Sequence, residues 1–163
     1  MVTSAHVIDI QWGIRRERAF PADEQWQEWG NVALDQLGSP PAEVCVRMMD
    51  EAEIAALNER YRNKAGPTNV LSFAGEGEDE SGRRMLGDLA ICTAIVKQEA
   101  RAQGKTLAAH SAHMLVHGIL HLNGYDHEND QDAKEMEQLE VAILQRFGFS
   151  NPYADPGPGG RSS

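Results

Sequence analysis

His117, His121 and His127, in the run HGILHLNGYDH, are the side chains of this sequence best placed to do chemistry. The first two stand four apart, so on a helix both imidazoles project from one face about one turn apart. His127 follows Gly124, a residue type that ends a helix in a left-handed turn and sends the chain back. Three neutral imidazole nitrogens converging from one side leave a tetrahedral metal ion an open fourth position, as in catalytic rather than structural zinc. One zinc ion per chain is the expectation, although imidazoles alone would also suit nickel or copper. The spacing follows the zincin pattern H-E-x-x-H-x-x-G-x-x-H, except that Gly118 replaces the glutamate that activates water in peptidases. The chemistry implied is hydrolysis of something other than a peptide bond, using water acidified by the metal, with the general base unassigned.

Other polar residues near this run have more than one reading. His110 and His113 share the helical face of His117. His110 is about 10 Å from it in rise and too far to share a ligand set. His113, one turn away, is either a supporting neighbour of a ligand, an RNA or proton contact, or a packed imidazole. Asp126 could orient a ligand imidazole, accept a hydrogen bond from the water, or cap the turn. Thr68 and Ser72 lack a histidine–carboxylate frame and fit turn and strand roles. Arg15, Arg16 and Arg18 are interrupted by Glu17 and read as solvated surface. Trp12, Trp26 and Trp29 could stack on bases, but Trp26 and Trp29 have the spacing of a helix core face.

The elements that must position these groups follow from periodicity. Val7–Ile10 and Val44–Met49 alternate as strands, and Asn69–Phe73 and Leu86–Ile91 are β-rich segments of one sheet, separated by the polar loop GEGEDESGRR. A helix is expected from Pro21–Asp23 to Leu37, with Trp26, Trp29, Ala33 and Leu37 inward, and another from Asp50 to Arg62, with Glu53 in the capping-box position. Helices over Thr93–Gln103, Thr106–Asn123 and Asp130–Phe147 complete the order β-α-β-α-β-β-α-α-α. The last is amphipathic through Met136, Leu139, Ile143 and Leu144. This predicts an α+β fold, a small mixed β-sheet covered by helices, as a single domain over residues 1–150. Residues 151–163, rich in Pro, Gly and Ser, are expected to be a disordered tail.

At 163 residues, 41% apolar and 25% charged, the composition is that of one ordinary soluble domain. No apolar run approaches a membrane span and MVTSAHVIDIQWG is no signal peptide, so a cytoplasmic protein without a membrane partner is expected. Cys45 and Cys92 fit free thiols better than a disulfide. The net charge of −10 runs against the basic surfaces usual for nucleic-acid binding. Much of the negative charge falls in Glu76–Glu80 and Glu128–Glu140, read as solvated faces.

HGILHLNGYDH, LNERYRNKAGPTNVLSF (Leu57–Phe73) and LGDLAI (Leu86–Ile91) together resemble the YbeY family of bacterial rRNA maturation factors, described as metal-dependent endoribonucleases. The resemblance implies a zincin-like three-histidine site on a helix and the following turn. It also implies a single-strand-specific endoribonuclease in 16S rRNA 3′-end processing and ribosome quality control. Its partners would be precursor rRNA and small-subunit ribosomal components, with no DNA. Arg62 matches the family's functional arginine near the metal, which could stabilise charge on a phosphoryl group; helix-end carbonyls are its other reading. Lys64 is a weaker second contact. The chain departs from the family at Lys64–Thr68, where one lysine is lost, at Ala74 and at Asn123. The rival function is a non-catalytic ribosome-assembly factor that uses metal for folding, which acidity favours because ribosomal proteins are basic. A hydrolase of small substrates is a third.

Overall fold

Period-two alternation makes the strands and apolar stripes at helical spacing make the helices. Their order is β1 (Val7–Trp12), α1 (Asp23–Gln36), β2 (Ala42–Met49), α2 (Glu51–Arg62), β3 (Val70–Ala74), β4 (Arg84–Cys92), α3 (Thr93–Ala102), α4 (Leu107–Leu122) and α5 (Asp130–Arg146). This computed structural model describes residues 6–126 and 128–153. The expected element order is observed. β1 extends beyond Ile10 because Trp12 still pairs with Met48, whose carbonyl accepts from the Gly13 N–H at 2.9 Å. β4 begins before Leu86 because Arg84 pairs with Ala42 and its N–H reaches the Pro41 carbonyl at 2.9 Å.

The sheet order is β1-β2-β4-β3, with β1, β2 and β4 parallel and β3 antiparallel to β4 at one edge. Both faces of the sheet are covered. Val44, Val46, Met48, Leu89 and Ile91 pack with residues of α1, α4 and α5 in the main core. On the opposite face Met49, Leu71, Ala90 and Cys92 pack on Ile54 of α2. Both Met48 and Met49 are therefore buried, where alternation alone would expose one of them. Trp26, Trp29 and Ala33 are buried as expected, and Leu37 and Leu139 are half-buried at the margin of the core. The result is a single α+β domain. Among the described residues no helix is long and apolar enough to cross a membrane.

α4 is the innermost helix, buried along almost its whole length from His110 to Leu120. Such all-round burial is what an apolar helix without a polar face requires. Thr106 caps its N-terminus by accepting from the Ala109 N–H at 3.0 Å. Its other end closes where the Tyr125 N–H reaches the Leu120 carbonyl and the Gly124 N–H reaches that of His121, both at 3.0 Å. Gly124 has φ +91°, the left-handed stop expected from the sequence.

Gly118, on the face of α4 turned to the sheet, touches β4. A Cβ there would lie 2.7 Å from Leu89 Cδ2 and 3.0 Å from its Cδ1. Leu89 is itself buried, so it has little room to move. Gly118→Ala should therefore lower stability by about 1–2 kcal/mol despite alanine's advantage of roughly 1 kcal/mol in a helix, because overpacking costs up to about 3 kcal/mol. Urea unfolding of the two proteins measures this; a more stable alanine variant would contradict the close packing.

Candidate active site

Helical spacing on α4 sets the centre of the site. His117 and His121 project from one face, and their Nε2 atoms approach to 3.1 Å with ring centroids 4.6 Å apart. His117 Nδ1 lies 2.6 Å from Glu140 Oε2 of α5. An ionised carboxylate can only accept, so the His117 proton resides on Nδ1 and Nε2 presents a lone pair. Two imidazole nitrogens sharing a tetrahedral zinc ion at about 2.0–2.1 Å stand roughly 3.3 Å apart. The pair is therefore spaced to share a metal ion, with a carboxylate behind one ligand as is usual at metal sites. The expected third ligand, His127, lies outside the described residues, so the three-histidine set is not assembled among them.

These imidazoles open onto a cleft of about 460 Å³, whose wall includes Arg62, Asn69, Ser72, His117, His121 and Asp126. Arg62 is the last residue of α2. The left-handed Asn63, φ +56°, ends that helix, and its N–H and that of Lys64 take the carbonyls of Glu59 and Asn58. The helix-end carbonyls are thus served by backbone. Arg62 is exposed and makes no ion pair or hydrogen bond with the described residues, leaving a guanidinium at the cleft wall. The Asn58 side chain donates to the Gly66 carbonyl at 3.0 Å and pins the loop that follows. Ser72 donates to the Gly118 carbonyl at 3.4 Å across the cleft floor, a structural role.

Lys64 is exposed in that loop and does not line the cleft. Asp126 sits at the rim, in the turn after α4. His113 is buried behind His117, its Nε2 at 3.1 Å from the Tyr153 hydroxyl and 3.6 Å from Glu140 Oε1. An RNA contact by His113 is excluded by that burial. His110 pairs with Glu99 at 2.8 Å, and Glu99 also accepts from Asn69 at 3.1 Å, which ties α3 and α4 to the cleft wall. Burial holds the His110 imidazole below its usual range, against the opposing pull of Glu99. Arg16 stacks on Trp12 and pairs with Asp23 at 3.6 Å, so it braces the β1–α1 connection.

Glu140 is the functional residue that the sequence reading missed. It belongs to the acidic run expected to be a solvated face, yet it is 1% exposed. Its place was readable: Met136, Glu140, Ile143 and Leu144 form one helical stripe, and a carboxylate on an apolar stripe needs buried partners. Burial pushes its carboxyl up, but hydrogen bonds from His113 and His117 prevail and bring it to about 2. The Tyr153 hydroxyl also donates to Glu140 Oε1. Residues 151–153, in the stretch expected to be disordered, form a turn that delivers this phenol; residues 154–163 lie outside the described residues. Burial of the hydroxyl end and the Glu140 charge push the phenol up, so it remains a donor although 45% of Tyr153 is exposed.

The chain is similar to proteins of known kind over nearly its whole length. A family described as Endoribonuclease YbeY matches residues 14–148. A Colwellia psychrerythraea protein named Endoribonuclease YbeY is 45% identical over 154 residues, covering 93% of this chain and 99% of that protein. The solution structure of a Thermotoga maritima protein superposes with a TM-score of 0.59 at 31% identity, covering 95% of this chain and all of that one.

The phenol on Glu140 has a measurable weight. Tyr153→Phe removes one hydrogen bond to a buried carboxylate and should destabilise the protein by about 1.5–3 kcal/mol. Denaturant unfolding at neutral pH reads the change, and unaltered stability would show that the Tyr153 contact is not held in solution.

Proposed function

The chain belongs to the YbeY family, and from that premise we propose that it is a single-strand-specific, metal-dependent endoribonuclease of rRNA maturation. The observation that supports this best is the meeting of Arg62 with His117 and His121 in one cleft. A guanidinium with no ion pair among the described residues, beside a pair of metal-competent imidazoles, suits a phosphodiester, whose charge grows as a phosphoryl oxygen is attacked. We assign His117, His121 and His127 as ligands of one zinc ion, which when bound supplies Lewis-acid charge and acidifies water.

The chain's own residues then have separate tasks. Glu140 fixes the tautomer and orientation of His117, and Tyr153 and His113 hold Glu140 in place. Arg62 binds a phosphoryl oxygen at two points and offsets its developing charge. Gly118 provides no general base, because its face of α4 is filled by Leu89. Asp126 is the one carboxylate among the described lining residues and is the proton acceptor nearest to hand. The substrates proposed are single-stranded regions of precursor rRNA, at the 16S 3′ end, in the cytoplasm and in company with small-subunit components. The net charge of −10 favours a second reading, an assembly factor held by a basic ribosomal protein.

The two readings separate at Arg62. Arg62→Ala should retain metal and fold while slowing cleavage of single-stranded RNA on the order of a hundredfold, the cost of one preorganised charge-stabilising donor. Arg62→Lys should recover little, since an ammonium lacks the planar two-point contact. His117→Ala should lose the metal itself, read by elemental analysis. Undiminished cleavage by Arg62→Ala overturns the catalytic role. A protein that cleaves no RNA yet restores ribosome maturation, with or without Arg62, is the assembly factor.

A further inference from the structure

The end of α2 carries more than Arg62. Arg60, Tyr61, Arg62 and Lys64 fall within five residues, and none of the three cations has an ion-pair partner among the described residues. In a chain of net charge −10 this is a local excess of positive charge, placed beside the cleft. Tyr61 is 58% exposed, and its hydroxyl makes no hydrogen bond with the described residues. Its ring has two neighbours. It meets Phe73 edge to face, with centroids 5.4 Å apart and planes at 74°, and the Arg60 guanidinium carbon lies 5.4 Å from its centroid.

Phe73 belongs to the edge strand β3, between Ser72 and Ala74, which both line the cleft. Successive side chains of a strand point to opposite faces. Ser72 reaches the Gly118 carbonyl on the α4 side, while Phe73 packs with the cluster on the α2 side. Tyr61 therefore stands across the sheet edge from the cleft, one residue before the arginine that enters it. An aromatic ring that is 58% exposed, packed against Phe73 and flanked by a cation, has the makings of a stacking surface for a flat, electron-rich ligand.

We infer that Tyr61, supported by Phe73 and Arg60, is a nucleobase subsite, on which one base of a single-stranded RNA stacks while a neighbouring phosphate lies on Arg62. The inference rests on the endoribonuclease reading and deepens it by placing the strand over the β3 edge. Stacking of this kind accepts any base, because every base presents a π face. Single strands are selected because a paired base has no free face to offer.

Binding of a uridine decamer and of an abasic decamer with the same backbone, followed by fluorescence anisotropy with the full chain, tests this subsite. Tyr61→Leu keeps an apolar contact for Phe73 and removes the stacking face. It should weaken uridine-decamer binding on the order of tenfold or more, leave abasic-decamer binding unchanged, and be rescued by Tyr61→Trp. In cleavage the loss should fall mainly on KM. Equal uridine-decamer affinity in Tyr61→Leu and the parent overturns the subsite, as does an equal loss for both decamers, while RNA cleavage by the parent keeps the nuclease reading intact. If the parent neither binds nor cleaves either strand, the nuclease reading falls and the subsite with it.

Discussion

The burial of α4 is the constraint on which the rest of the molecule depends. A helix this apolar must be enclosed, and the sheet, α1, α3 and α5 enclose it. The same helix carries His117 and His121, so the imidazole pair inherits the rigidity of the core instead of the mobility of a loop. Gly118 makes this possible by letting β4 approach closely on the adjoining face. Core packing and site chemistry thus compete for successive residues of one helix. Packing takes position 118, and the cleft takes 117 and 121.

A buried carboxylate is the second consequence. Placing Glu140 in the apolar stripe of α5 would be costly without partners. Here His117 and Tyr153 satisfy it directly and His113 stands close by. The arrangement couples three parts of the chain: α4 holds the imidazoles, α5 the carboxylate, and the turn at 151–153 the phenol. The turn at 151–153 and the orientation of His117 thus share one carboxylate, through which each hydrogen bond can polarise the other.

How much of this was readable depended on whether a signal was local. Strand alternation, the Asp50 cap and the Gly124 stop lie within a few residues of the structure they specify, and each appears where the sequence places it. The pairing of Met49 with α2 was not readable, because alternation reports one buried face and cannot say that a helix covers the other. Tyr153 was hidden by composition: its neighbours promote disorder, and the partners of its hydroxyl, Glu140 and His113, are distant in sequence. Arg62 presents the same difficulty in reverse. No periodicity marks it as a cleft residue; its place follows from the left-handed turn at Asn63 and from the way β3 returns along the sheet edge.

Net charge, too, is a poor guide at this site, for a reason of scale. At physiological ionic strength charges more than about 8 Å away are largely screened from a phosphate at the surface. Arg60, Arg62 and Lys64 follow one another within five residues, on a different segment of the chain from the acidic residues of α5. The β3–β4 connection is different, since Glu76, Glu78 and Glu80 follow directly on Ala74 at the cleft. The segments beside the two ends of the cleft thus carry charge of opposite sign. The acidity summed over the chain therefore says little about the charge beside Arg62, where Arg60 and Lys64 lie two residues to either side.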